Sequence, residues 1–230
     1  MSRVLKHFVA ALLSAGGVGS QCCAQRVDAT LHVRFSDASP ATTPQSPLVV
    51  WLAPLDAALP PARMSSMYKM VQKDKQFIPH LLVVPVGSSI EFPNLDPFFH
   101  NVFSLFNGRR FDLGLYQTGQ SQVVRISREG VSYIFCNIHP EMGGIILSLA
   151  TPYYIVAKTG DVVVRSLPPG SYKLSVWSEQ ATTESMNAAV RTVAVNAQAS
   201  DLGTITLQPS RSMASTHRNK YGEPYPSQTQ

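Results

Sequence analysis

The chain has 230 residues, 44% of them hydrophobic and 14% charged, and its formal net charge is +5. That length carries one large domain or two small ones with ample material for a core. Without Arg3 and Lys6, which lie in the leader described next, 17 basic side chains face 14 acidic ones, an excess too small and too scattered to point to nucleic acid.

Residues 1–24 open with Arg3 and Lys6, run apolar from Phe8 to Val18 and end in small residues up to Ala24. This is the architecture of a secretory signal, with an apolar part too short to span a bilayer comfortably. Export to the periplasm is expected. Membrane association is expected only if the segment persists as an anchor or is lipidated at Cys22 or Cys23, where Gln21 occupies a position that a lipobox gives to a small residue. The third cysteine is Cys136. Once the leader is removed, Cys136 has no disulfide partner in an oxidising compartment, and a bound metal would protect its thiol.

Residues 30–35 and 48–52 read as strands separated by a Ser/Pro/Thr-rich turn region, and 57–63 as a linker. Met64, Met67 and Met70 follow at a spacing of three. That spacing suits methionine motifs that bind Cu(I), but adaptable packing is the stronger reading. Strands are expected at 81–86 and 90–92. His80, just before the first of them, reads as a hydrogen-bonding or surface residue rather than a ligand. After Asp96 and Pro97, His100 heads a third run, 100–106, rich in β-formers.

The most informative stretch is Tyr133-Ile-Phe-Cys136-Asn-Ile-His139-Pro-Glu-Met142. Cys136, His139 and Met142 crowd into one short loop between the apolar runs 131–135 and 143–149, so two strands joined there would aim all three side chains at one spot. His100, on another strand, supplies a second imidazole. A thiolate, two imidazoles and a thioether are the ligands of a trigonal His₂Cys copper site with a weak axial methionine. The site is expected to be mononuclear. A binuclear centre would need a second nearby cysteine and multicopper oxidases need His-x-His pairs, while structural zinc has no use for a thioether.

This Cys-x-x-His-x-x-Met loop with its His139-Pro140 step resembles the cupredoxins of the plastocyanin and amicyanin type, including those found near methylamine utilisation. The similarity runs from residue 76 through Phe111-Asp-Leu-Gly114 to Leu149. Ile138 stands where such loops often carry proline. The resemblance implies a Greek-key β-sandwich, one type 1 copper held by His100, Cys136, His139 and Met142, and single-electron transfer to a redox protein that docks near His139. It also implies that Asn101 lies beside the metal, its side chain pinning the two ligand-bearing loops together and its backbone N–H pointing at the sulfur.

Beyond Thr151 and Pro152, strands are expected at 153–157, 161–166, 171–177, 190–195 and 202–207, with turns at Thr159-Gly160 and Pro168-Pro-Gly170. The phrase Val164-Arg-Ser-Leu167-Pro-Pro-Gly170-Ser-Tyr172-x-Leu174-x-Val176 resembles the carboxypeptidase-regulatory-like β-sandwich. The expected organisation is therefore all-β: a cupredoxin domain at 63–151, inserted into a second, smaller and discontinuous sandwich made of 26–60 and 152–208. The tail at 209–230, poor in large aliphatic side chains, is expected to be disordered. These readings predict a periplasmic blue copper protein that transfers single electrons, with a copper carrier or sensor as the alternative. An enzyme is not expected, because four protein ligands leave no open coordination position.

Overall fold

The structure, a computed structural model, describes residues 25–36, 47–56, 67–104, 110–158, 160–210, 219–223 and 225. The expected leader at 1–24, the expected linker at 57–63 and Met64 lie outside the described residues. The described residues are all-β apart from one short helix. In order, the strands are β1 (Val27–Phe35), β2 (Leu48–Pro54), β3 (Met67–Lys69), β4 (Val71–Lys73), β5 (Gln76–Ile78), β6 (Leu81–Pro85), β7 (Ser89–Pro93), β8 (His100–Ser104), β9 (Phe111–Tyr116), β10 (Ser121–Arg125), β11 (Gly130–Phe135), β12 (Gly143–Leu149), β13 (Tyr154–Ala157), β14 (Asp161–Leu167), β15 (Gly170–Ser178), β16 (Arg191–Val195) and β17 (Ser200–Leu207). Helix α1 (Thr183–Ala189) lies between β15 and β16, its first turn capped by the Thr182 hydroxyl, which accepts from the Ser185 N–H.

Four sheets stack face to face. The outermost has the order β14-β1-β17, with β1 antiparallel to β14 and parallel to β17. Next lies the antiparallel sheet β13-β2-β15-β16, then the five-stranded sheet β6-β12-β11-β8-β9, and last β10-β7-β3. The period-two alternation of each strand decides which core its side chains enter. On β2, Leu48, Val50 and Leu52 join Leu31, Val164 and Tyr172 in a core against the outermost sheet. Val49 and Trp51 point the opposite way, into a second core with Trp177 of β15 and Ile145, Leu147 and Leu149 of β12. The third core, between the last two sheets, gathers Met70, Phe77, Phe92, Val102, Ile134 and Ile146.

β12 is buried on both faces, which is why it reads as an almost unbroken apolar run rather than an alternating one. Gly144 within it sits at a close approach. A Cβ there would meet Phe77 Cβ at 3.0 Å and Ile134 Cγ1 at 3.3 Å.

The short hairpin β4–β5 turns through Asp74 and Lys75, both at φ 55°. Two non-glycine residues in the left-handed region match the backbone twist of a two-residue hairpin at some cost in strain. The cost is offset locally by Asp96, whose carboxylate accepts the N–H groups of Asp74 at 2.7 Å and Lys75 at 3.0 Å. This contact brings Asp96 beneath the site described next.

Candidate metal centre

His100 is the first residue of β8, a strand buried at every position between β11 and β9. Cys136 follows directly on β11. The loop it opens closes on itself, because the Cys136 N–H donates to the Met142 carbonyl at 3.1 Å and the Met142 N–H donates to the His139 carbonyl at 3.0 Å. Beyond it, Phe135 pairs with Gly143. The antiparallel pair β11–β12 and its tight loop thus hold Cys136, His139 and Met142 together, and the β8 register delivers His100 to the same place.

The donor atoms converge. Cys136 Sγ lies 3.7 Å from His100 Nδ1 and 3.6 Å from His139 Nδ1, and all three donors lie within 4.8 Å of one another. Donors at metal–sulfur and metal–nitrogen distances of roughly 2.3 and 2.0 Å, splayed at near-trigonal to tetrahedral angles, would be roughly 3.5–3.8 Å apart. The spacing therefore fits a single metal ion at their centre, and a soft thiolate with two imidazoles fits copper. Met142 is fully buried in the core cluster that also contains Cys136. His100 is fully buried, while His139 is partly exposed.

The surroundings fix the ligands in their binding forms. His100 Nε2 lies 2.7 Å from Asp96 Oδ2 with both side chains buried. A carboxylate only accepts, so the ring proton sits on Nε2 and the Nδ1 lone pair is left facing the sulfur. Burial alone would raise the Asp96 pKa, but the bonds from the Lys75 N–H, His100 and the Asp74 N–H override it and hold the carboxyl below its ordinary value. Burial, and then the neighbouring His100, push His139 below its ordinary pKa, which favours the neutral imidazole a metal needs. Burial pushes the Cys136 thiol up, and it is opposed by backbone N–H groups of Ile138, Asn101 and His139 that point at the sulfur. Those same N–H groups suit a thiolate once a metal has displaced the proton.

Phe98 packs across both imidazoles, with ring centroids 5.2 Å from His100 and 5.5 Å from His139, and the two imidazoles are 4.9 Å apart. Phe98, Phe99, Leu95 and Ile138 are all exposed.

Two sequence expectations need correction. The Asn101 backbone N–H does reach the sulfur, but its side chain does not pin the Cys136 loop. Its Nδ2 donates instead to Asp112 Oδ1 at 2.7 Å and to the Gly114 carbonyl at 3.0 Å, both on β9. The side chain follows the nearest strong acceptor, and a carboxylate outcompetes a loop carbonyl. Of the methionine run, Met64 lies outside the described residues, Met67 is exposed and Met70 lies in the core, where the packing reading of these residues puts it. In extended chain an odd spacing puts side chains on opposite faces. The tail, finally, is not featureless. Asn219–Glu223 and Tyr225 lie against the metal loop through polar contacts that aliphatic content does not report, including a 2.8 Å bond from the Tyr225 hydroxyl to the Cys136 carbonyl.

His80 stays outside the donor cluster and bonds Glu179 and the Gly143 carbonyl. Asp96 was missed as a functional residue, although its position four residues before His100 was the available signal.

No family model matches the chain, and no curated protein matches it. Among solved structures, it is similar to a purple cupredoxin from Nitrosopumilus maritimus at 23% identity, covering 36% of this chain and 99% of that one, with a TM-score of 0.33. A reduced amicyanin mutant aligns at 16% identity over 43% of this chain and 99% of its own, with a TM-score of 0.34. A copper-containing nitrite reductase from Thermus scotoductus SA-01 aligns at 24% identity over 42% of this chain, with a TM-score of 0.35, and the match spans 25% of that chain.

Proposed function

We propose that the chain holds one type 1 copper ion through His100, Cys136, His139 and, as a weak axial ligand, Met142, and that it transfers single electrons. The observation that carries this reading is the convergence of Cys136 Sγ with two imidazole Nδ1 atoms at 3.6 and 3.7 Å in a buried pocket. Copper held there supplies a one-electron couple. The chain's own residues do the rest. Asp96 holds His100 in one tautomer, the N–H groups of Asn101, Ile138 and His139 surround the sulfur, and packing in the core cluster keeps Met142 in place. Such a rigid setting leaves little to rearrange when the charge changes by one.

Electrons are read as entering and leaving through His139, the one ligand among the three converging donors that is partly exposed. The apolar rim of Phe98, Phe99, Leu95 and Ile138 suits brief docking of a redox protein, because a small apolar contact allows close approach without tight binding. Residues 1–24 support a periplasmic location. Among the described residues no helix is long and apolar enough to cross a membrane.

A copper carrier is the competing reading, and its one sequence feature, the methionine run, includes an exposed Met67 and a core Met70. The test is stopped-flow reduction and reoxidation of the copper-loaded protein with periplasmic redox proteins, alongside metal transfer to a chelator. Rapid redox cycling with retention of copper supports electron transfer. Ready metal transfer without redox exchange favours the carrier.

A further inference from the structure

The described C-terminal residues bond to the loop that carries the sulfur and to β9, the strand that pairs with β8. Asn219 forms a compact turn: its Oδ1 accepts from the N–H groups of Tyr221 and Glu223, each at 2.9 Å, and its own N–H donates to the Glu223 carbonyl at 2.9 Å. From that turn Lys220 reaches in two directions. Its backbone N–H donates to Asn137 Oδ1 at 2.9 Å, on the residue after Cys136, and its ammonium pairs with Asp112 Oδ2 at 2.7 Å on β9. The other oxygen of Asp112 accepts from Asn101 Nδ2 at 2.7 Å and from the Gly114 N–H at 3.0 Å. Tyr225 adds the third contact, its hydroxyl donating to the Cys136 carbonyl at 2.8 Å.

We propose that Lys220 and Tyr225 are positioning residues of the metal loop. Lys220 ties the loop that carries Cys136 to β9 and, through Asp112, to Asn101. Tyr225 holds the Cys136 peptide from the outside. The link between the two ligand-bearing elements, for which the Asn101 side chain had been expected, is made by a residue some eighty positions along the chain, at a separation of 83 from Asn137. A loop of this kind opens locally unless its polar groups are engaged, and each bond lost makes opening more frequent. The hook therefore keeps the sulfur shielded and its N–H donors in place.

The proposal deepens the copper reading and rests on it for its purpose, so it is tested on the metal-free thiol, where the two can fail separately. In full-length protein with Cys22→Ser and Cys23→Ser, Cys136 is the single thiol, and its rate of reaction with a small disulfide reagent reports loop opening. Lys220→Met with Tyr225→Phe should raise that rate about tenfold, the effect of losing hydrogen bonds that hold a local opening closed. Lys220→Arg, which keeps the charge and the backbone bond, should react close to the parent rate. In copper-loaded protein the double variant should also release copper to a chelator faster. An unchanged thiol rate in the double variant overturns the proposal whether or not copper binds. A raised rate in a protein that never takes up copper leaves the hook standing and removes the copper reading instead. If the double variant loses its cooperative unfolding transition, Tyr225→Phe alone decides, since it deletes one oxygen from a partly exposed site: a rate equal to the parent's overturns the proposal.

Discussion

Asp96 and His100 meet in a buried hydrogen bond of 2.7 Å, and the carboxylate that receives it also accepts the N–H groups of Asp74 and Lys75. One side chain thus stabilises a strained hairpin turn and fixes the tautomer of a metal ligand. Asp96→Asn keeps the shape but removes the charge and part of the acceptor capacity. Copper affinity should fall about 10- to 100-fold, the usual consequence of losing such an outer partner, and the reduction potential should rise because His100 becomes a weaker donor. Competition titration and voltammetry check both.

Met142 is expected to tune the site without being essential to it. Met142→Gln, close in volume, should keep copper and lower the potential. Met142→Ala is a different perturbation, since Met142 is fully buried in the core with Phe77, Phe92 and Ile134. It should cost about 2–5 kcal/mol of stability through the cavity left behind, read from denaturant unfolding. A variant that loses all copper on changing Met142 to Gln would contradict the axial role.

Trp177 belongs to the core between β13-β2-β15-β16 and the five-stranded sheet, on the face of β12 opposite Met142 and Cys136. Trp177→Ala should therefore destabilise by about 3–5 kcal/mol while leaving the copper spectrum at its original wavelength. The same geometry predicts that residues 63–151 expressed alone expose Ile145, Leu147 and Leu149 and associate, which sedimentation would detect.

His80 bridges these two sheets. Its Nε2 lies 3.0 Å from Glu179 Oε2 and its Nδ1 3.2 Å from the Gly143 carbonyl, and only the imidazolium can donate to both. The bond to Glu179 raises its pKa, with burial opposing. A raised folded-state pKa means that the added stability is fully present below the ordinary value of 6.5 and is lost as pH climbs through the folded value. The group is about half exposed, so screening limits the effect to at most about 1 kcal/mol. Unfolding midpoints measured from pH 5 to 8 should decline for the parent relative to His80→Gln, with Glu179→Gln behaving like His80→Gln.

Much of the site was legible because ligand chemistry is concentrated in few residue types: Cys136, His139 and Met142 fall in one turn between two apolar runs, and His100 begins a third. The strands around them announced themselves by β-branched and aromatic content. What stayed hidden was held by polar bonds rather than by pattern. Asp96 reads as a turn residue before Pro97 until its carboxylate is seen under His100. β4 and β5 are three residues each, too short for periodicity to register. Helix α1 buries none of its residues, so it leaves no apolar stripe. Asn219–Glu223 and Tyr225 lack aliphatic side chains, and composition cannot report that Lys220 finds Asp112 and Asn137. Even β12, correctly expected as a strand, gave no sign that its second apolar face would be shared with Val49 and Trp177.

The central claim is that Cys136 binds copper as a thiolate together with His100 and His139. The most direct test is the visible absorption spectrum of the purified protein loaded with one equivalent of Cu(II), recorded beside that of Cys136→Ser. The arrangement predicts an intense thiolate-to-copper charge-transfer band in the parent that is absent in Cys136→Ser. A colourless parent with one Cu(II) bound, or a Cys136→Ser variant that remains intensely blue, would contradict it.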